Sequence, residues 1–173
     1  APKLASFCLT EPDAGSDVSG MKTTAVKKGD KYVINGSKCF ITNGGYADWF
    51  TVYAKTDKEA GHRGISAFVV PKDDTVTVDK KEDKMGQRAS NTATITFNET
   101  EIPAGNLLGE ENKGFKLAMQ TLDRTRPGVA AMAVGIARAA LGFGTEYSKE
   151  RVQFGVPLAS HHAVAFMIAD MAT

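Results

Sequence analysis

The chain has 173 residues, 42% hydrophobic and 24% charged, which is enough apolar surface for a core and too much for a disordered segment. Its 21 lysines and arginines against 20 aspartates and glutamates leave a net charge of +1, so there is no electrostatic footprint for nucleic acid or a membrane surface. Two cysteines, Cys8 and Cys39, form neither a disulfide framework nor a CxxC spacing, and a reducing compartment is the expectation.

No unbroken apolar run approaches the ~18 residues of a membrane helix, and no secretory leader is expected behind Ala1-Pro2-Lys3. Residues 1–112 carry 14 basic and 16 acidic side chains and are rich in Thr, Val, Gly and Asn. Residues 113–173 carry 7 and 4 and are rich in Ala and Met. The change of character predicts two domains, 1–112 and 113–173.

The first part reads as sheet. A strand over 22–28 is followed by Gly29-Asp30, and strands over 31–34 and 37–42 flank Asn35-Gly36. Asn-Gly between β-rich runs predicts a hairpin, because a type I′ turn needs φ > 0 at both central residues. Further strands are predicted over 48–54, 64–70 and 92–97. In the last, Thr92, Thr94 and Thr96 alternate with Ala93, Ile95 and Phe97. Many short strands with regular turn signals predict a barrel or a sandwich.

The second part reads as helix. Phe115, Met119 and Leu122 mark one face, and Pro127 is expected to break the helix, since proline suits a first turn and not an interior. Val129, Met132, Ile136, Ala140, Phe143 and Tyr147 mark a second helix ending near Arg151, with Gly155 available as a stop. A third helix from about His161 carries Val164, Ile168 and Met171 on one face and is still running at Thr173. With no initiator methionine, the chain is expected to be cut from something longer, or processed.

Four segments carry chemistry-bearing residues. Cys8-Leu9-Thr10-Glu11-Pro12-Asp13-Ala14-Gly15-Ser16-Asp17 is a tight loop of hydroxyls and small residues that suits a carbonyl-rich ring or a phosphate; the plain alternative is a surface turn. Phe40-Ile41-Thr42-Asn43-Gly44-Gly45 ends a strand in a hydroxyl and a flexible turn. Asp123-Arg124-Thr125-Arg126 places two arginines at the proline, where they face either solvent or an anion. Glu150-Arg151-Val152-Gln153-Phe154-Gly155 is a helix terminus whose arginine suits the macrodipole. His161-His162 is not expected to hold a metal, since neighbouring helix positions point about 100° apart, and no GxGxxG, P-loop or GxSxG motif is present.

Together these segments resemble the acyl-CoA dehydrogenase family, and residues 123–131 resemble its medium-chain branch most. The likeness rests on Cys8-Leu9-Thr10-Glu11-x-x-Ala14-Gly15-Ser16-Asp17-x-x-Gly20, Ile34-Asn35-Gly36-x-Lys38, Ile41-Thr42-Asn43-Gly44 and Met85-Gly86-x-Arg88-x-Ser90. It continues, in order, through Leu107-Leu108-Gly109, Lys113-Gly114-Phe115, Glu150-Arg151-x-x-Phe154-Gly155 and Ala169-Asp170-Met171.

The resemblance implies an α+β fragment: a middle β-barrel of orthogonal sheets, followed by the first helices of an α-helical bundle. It implies FAD-dependent α,β-dehydrogenation of an acyl-CoA thioester, with electrons passed to an electron-transferring flavoprotein. Phe7, Cys8, Leu9, Thr10, Gly15 and Ser16 would line the flavin. Leu9 and Thr10 would bond its pyrimidine edge, and Ser16 would reach the pyrophosphate and the CoA side. Phe40, Ile41 and Thr42 would flank the ring, with Thr42 donating toward N5.

Ser16, Asp123, Arg124, Thr125 and Arg126 would line the acyl-CoA site. Arg151, Gln153 and Phe154 would touch the FAD of a neighbouring subunit in a homotetramer. Neither nucleic-acid binding nor membrane insertion is implied, and the compartment would be the mitochondrial matrix in a eukaryote or the cytoplasm in a prokaryote.

Phe40 stands where many relatives have tryptophan. His162 stands where relatives often have glutamine and is not carried over as a ligand. Thr125 stands where the isovaleryl-type branch has its catalytic glutamate, so the base is expected outside this chain. An acyl-CoA oxidase on the same scaffold and a non-catalytic binding or assembly subunit are the alternatives.

Overall fold

The computed structural model describes residues 3–173, which divide into a sheet-rich unit running to Gln120 and a unit running from Thr121 to Thr173. Ala1 and Pro2 lie outside the described residues.

Eight strands build the first unit: β1 (Ala5–Cys8), β2 (Thr24–Lys28), β3 (Lys31–Thr42), β4 (Trp49–Lys55), β5 (Ile65–Pro71), β6 (Val76–Lys81), β7 (Thr92–Pro103) and β8 (Leu107–Leu108). They form one mixed sheet in the order β6-β7-β3-β2-β4-β5-β8, with β1 parallel to β4. The class is the one expected, a sheet domain followed by helix, but the hydrogen-bonded ladder is not closed into a ring: β6 and β8 end it.

The alternation read in 92–97 is realised in β7, where Ala93, Ile95 and Phe97 are buried. They join Ile34, Phe50, Val52 and Phe68 in one core, with Phe50 and Phe97 edge-to-face at 5.9 Å.

The hairpin expected at Asn35-Gly36 is not there. β3 runs straight through both residues, and the tight turn is the Gly29-Asp30 pair that joins β2 to β3. Asn35 Nδ2 donates to Glu99 Oε1 (2.6 Å) while Asn35 Oδ1 accepts the Glu99 amide (2.8 Å), clamping a bulge in β7 where Glu99 has φ 49°. Gly36 has φ 151°, and a Cβ there would fall on the Thr23 side chain. The glycine is required by close approach, not by a turn.

The helical part also differs from expectation. α1 (Gly114–Glu150) is one helix of 37 residues with Pro127 inside it. The proline removes the bond to the Asp123 carbonyl, a cost of about 3 kcal/mol in a helix interior, and the alanine-rich turns beyond it continue the ladder. Although no apolar run is unbroken, an 18-residue window of α1 reaches a mean hydropathy of 1.4, so by length and composition alone the helix is apolar enough to cross a membrane. Arg138 is the sole charge between Gly128 and Thr145.

After α1, β9 (Val152–Gln153) and β10 (Val156–Pro157) form a small hairpin whose turn is Phe154-Gly155, with φ 54° and 78°. Gly155 therefore serves a hairpin and not the helix stop. α2 (His162–Ala172) follows.

Candidate functional site

The site is built from the end of β1 and a break in β3. Cys8 is fully buried at the end of β1, and the chain then closes a turn over 11–14. There the Glu11 amide donates to Ala14 O (3.0 Å) and the Ala14 amide donates to Glu11 O (3.1 Å). Gly15, Ser16 and Asp17 beyond it are exposed, with open space around Gly15. Ser16 lines a cleft with Asp17, Val18, Ser19, His62 and Phe115, the last two rings lying 5.3 Å apart.

In β3 the pairing with β7 slips by one residue between Lys38 and Ile41. Phe40 takes φ 58° in this bulge and turns outward, 65% exposed, while Ile41 returns to the core and Thr42 is exposed again. Strain of this sort at a non-glycine residue persists where surrounding bonds enforce it.

The surrounding bonds are present. The Cys39 amide donates to Thr10 O (3.0 Å), Ser6 Oγ donates to Thr42 O (2.7 Å), and Asn91 accepts from the Asn43 and Gly45 amides (2.8 Å each). The structure thus brings 7–10 together with 40–42.

Beneath them Lys38 Nζ, fully buried, donates to Glu11 Oε1 (2.7 Å) and to Leu9 O (3.1 Å). Glu11 also accepts the Lys22 amide (2.6 Å) and the Thr23 amide (3.1 Å). Burial pushes the Glu11 carboxyl up, but the Lys38 charge and the hydrogen bonds outweigh it and hold the group below its ordinary 4.5. Burial pulls the Lys38 ammonium down, partly offset by Glu11. Burial also raises the Cys8 thiol to about 12 and lifts Cys39, so both are neutral apolar fillers and not nucleophiles.

The residues present fit a flavin. Among the described residues the hydroxyls of Thr10, Ser16 and Thr42 have no partner, and Phe7 (37% exposed) and Phe40 are exposed aromatics of the same joined segments. Free donors and exposed aromatics on joined segments suit a flat ring with a polar edge.

In the second unit Asp123, Arg124, Thr125 and Arg126 lie exposed on α1. Arg126 pairs with Asp123 at 3.3 Å, and Thr125 Oγ1 donates back to Leu122 O (3.3 Å). Arg151 follows the helix end, its amide donating to Tyr147 O (3.0 Å). Gln153 sits in β9, and Phe154 at the hairpin tip is 96% exposed, its ring edge-on to His161 at 5.9 Å.

The family description "Acyl-CoA dehydrogenase, middle domain" matches residues 6–100, and "Acyl-CoA dehydrogenase, C-terminal domain" matches 112–173. The chain belongs to the acyl-CoA dehydrogenase family. It is 55% identical over 172 residues to the short-chain specific acyl-CoA dehydrogenase of Megasphaera elsdenii, covering 98% of this chain and 45% of that one. The solved butyryl-CoA dehydrogenase of the same organism superposes with a TM-score of 0.93 at 54% identity, over 98% of this chain and 45% of that one. A structure described as the electron transferring flavoprotein of Acidaminococcus fermentans matches with a TM-score of 0.92 at 54% identity, over the same shares. The chain therefore spans about 45% of the length of these relatives.

Within this acyl-CoA dehydrogenase middle domain, sequence reasoning gave Lys38 no role and omitted Asn91, His62 and Phe115 from the site. Lys38 was detectable: Tyr32 and Ile34 point inward, and period-2 parity puts Lys38 on their face. His62, Asn91 and Phe115 carry no such signal, because their meeting with the loop depends on the tertiary fold.

Proposed function

We propose that this chain is the flavin-binding core of an FAD-dependent acyl-CoA dehydrogenase. The observation that supports it most is the stitching of the Thr10 loop to the Phe40 bulge, which joins two segments that carry free hydroxyls and exposed rings.

Thr10 would hold the pyrimidine edge with its hydroxyl and Leu9 with its backbone. Phe7 and Phe40 would flank the ring system. Thr42 would donate its hydroxyl toward N5, and Gly15 leaves the backbone open where Ser16 would meet the pyrophosphate. Ser16 also faces the cleft of about 270 Å³ bounded by His62 and Phe115, a place for the CoA side of the substrate. Asp123, Arg124, Thr125 and Arg126 would line the acyl-CoA site. Arg151, Gln153 and Phe154 would meet the FAD of a neighbouring subunit in a homotetramer.

Held by these residues, FAD would supply the two-electron redox chemistry that takes up the substrate's β-hydride. The α-proton must go to a carboxylate within ~3 Å, and Glu11 is taken by Lys38 and two amides. We assign the base to a glutamate outside residues 1–173. An electron-transferring flavoprotein would take the electrons onward. In this reading α1 is a bundle helix, in keeping with the C-terminal domain match over 112–173.

The test is turnover of the full-length gene product. Purified protein should carry FAD and form enoyl-CoA from a saturated acyl-CoA with an electron-transferring flavoprotein as acceptor. Hydrogen peroxide produced at a comparable rate in air would favour the oxidase reading, and a flavin-free protein inert to acyl-CoA would overturn the proposal.

A further inference from the structure

Lys38 and Glu11 are buried together, 0% and 5% exposed, and their hydrogen bonds end on the backbone of the loop. Lys38 Nζ reaches across from β3 to Leu9 O (3.1 Å). Glu11 Oε2 takes the Lys22 amide (2.6 Å) and Oε1 takes the Thr23 amide (3.1 Å). The next residue after Lys38 is Cys39, whose amide holds Thr10 O (3.0 Å), and the one after that is Phe40 in its left-handed bulge. The ammonium thus stands at the junction of the two segments that carry free hydroxyls and exposed rings.

A buried ion pair is a poor source of net stability, because desolvating both charges consumes most of their attraction. Its directional bonds are what an apolar pair of equal volume lacks. Without Lys38 the Leu9 carbonyl would lose this donor and the Glu11 carboxylate, left with its two amide bonds, would be a buried charge without a partner cation, so the loop would have to open to bring them to water. Such opening moves Thr10 relative to Phe40, since the Thr10–Cys39 bond lies between the two positions.

We propose that Lys38 and Glu11 are positioning residues for the cofactor: their buried bond sets residues 9–11 against the Phe40 bulge, so that the hydroxyl edge and the aromatic flank meet the flavin in one register. Neither residue touches the ring itself. The inference rests on the flavin reading above.

The experiment compares full-length wild-type protein with Lys38→Met, Glu11→Gln and Lys31→Ala. The last, on the same strand as Lys38, removes an exposed ion pair to Glu101 of β7 and serves as control. FAD dissociation constants and the visible circular dichroism of bound flavin are measured well below each variant's melting temperature. Lys38→Met and Glu11→Gln should each weaken FAD binding about tenfold or more and alter the flavin dichroism, with far-ultraviolet dichroism unchanged. Lys31→Ala should alter neither.

A lowered melting temperature with wild-type FAD affinity and flavin dichroism would reduce the pair to a structural role and overturn the inference. So would the failure of both variants to fold, since the pair would then be a folding requirement. Wild-type protein that takes up no FAD would sink the flavin reading itself, an outcome distinguished by the wild type failing alongside the variants.

Discussion

The amide of Cys39 donates to the carbonyl of Thr10 at 3.0 Å, joining the loop after β1 to the bulge in β3 across 29 positions of sequence. That bond is local in space and remote along the chain. It turns two unremarkable stretches, a polar turn and a strand end, into facing halves of one surface.

Thr42 is the first test of that surface. Its hydroxyl has no protein partner among the described residues, so Thr42→Ala removes no internal hydrogen bond of the sort worth about 1 kcal/mol. The variant should melt as wild type does while flavin reduction slows. Single-turnover reduction at the wild-type rate would take Thr42 out of the site.

Arg151 tests the second unit. Its side chain is exposed, and its amide is held by Tyr147 O. If it faces a neighbouring subunit's FAD pyrophosphate, Arg151→Glu should weaken FAD retention and assembly together, because the carboxylate repels phosphate. Size-exclusion chromatography with flavin quantitation checks this, and a tetrameric, fully flavinated variant speaks against the role.

Glu11 predicts an acid limb of stability. Unfolded Glu11 binds its proton near pH 4.5, and folded Glu11 only at lower pH. The pair's contribution is therefore complete above pH 4.5 and is lost as pH falls through the folded value. Urea unfolding of wild type and Glu11→Gln over that range should show the variant weaker at neutral pH and the two curves converging in acid. Parallel curves would contradict the assignment.

Gly36 tests the bulge. At φ 151°, with Thr23 where a Cβ would go, Gly36→Ala should cost about 1–3 kcal/mol in urea unfolding. Gly15→Ala, with nothing within 4 Å, should leave stability unchanged. Equal effects at the two glycines would mean that Gly36 is not in close approach.

Three strands were legible: residues 92–97 in β7 by the alternation of Ala93, Ile95 and Phe97, and the runs that became β4 and β5 by their apolar, β-rich composition, since most of their residues are buried. Asn35-Gly36 misled because its composition serves a I′ turn and a strand bulge equally well, and only the Asn35–Glu99 clamp decides between them. β6 escaped notice since Val76 is its one buried residue and the rest is an exposed edge. Pro127 misled because local preference was weighed without the long alanine-rich continuation of α1. The loop of 8–17 and the strand end of 40–42 were readable as candidate contacts, but their meeting was not, since the Thr10–Cys39 and Leu9–Lys38 bonds follow from topology.

The most direct measurement is anaerobic flavin reduction followed in a single turnover. FAD-loaded full-length protein is mixed with a saturated acyl-CoA, and with the same substrate deuterated at the α- and β-carbons. The expected result is bleaching of the flavin's visible band, slowed by deuteration at either carbon, with no bleaching by residues 1–173 alone, whose Glu11 is held by Lys38 and whose Thr125 offers no carboxylate. A flavin that stays oxidised in the full-length protein, or one bleached by residues 1–173 alone, would contradict it.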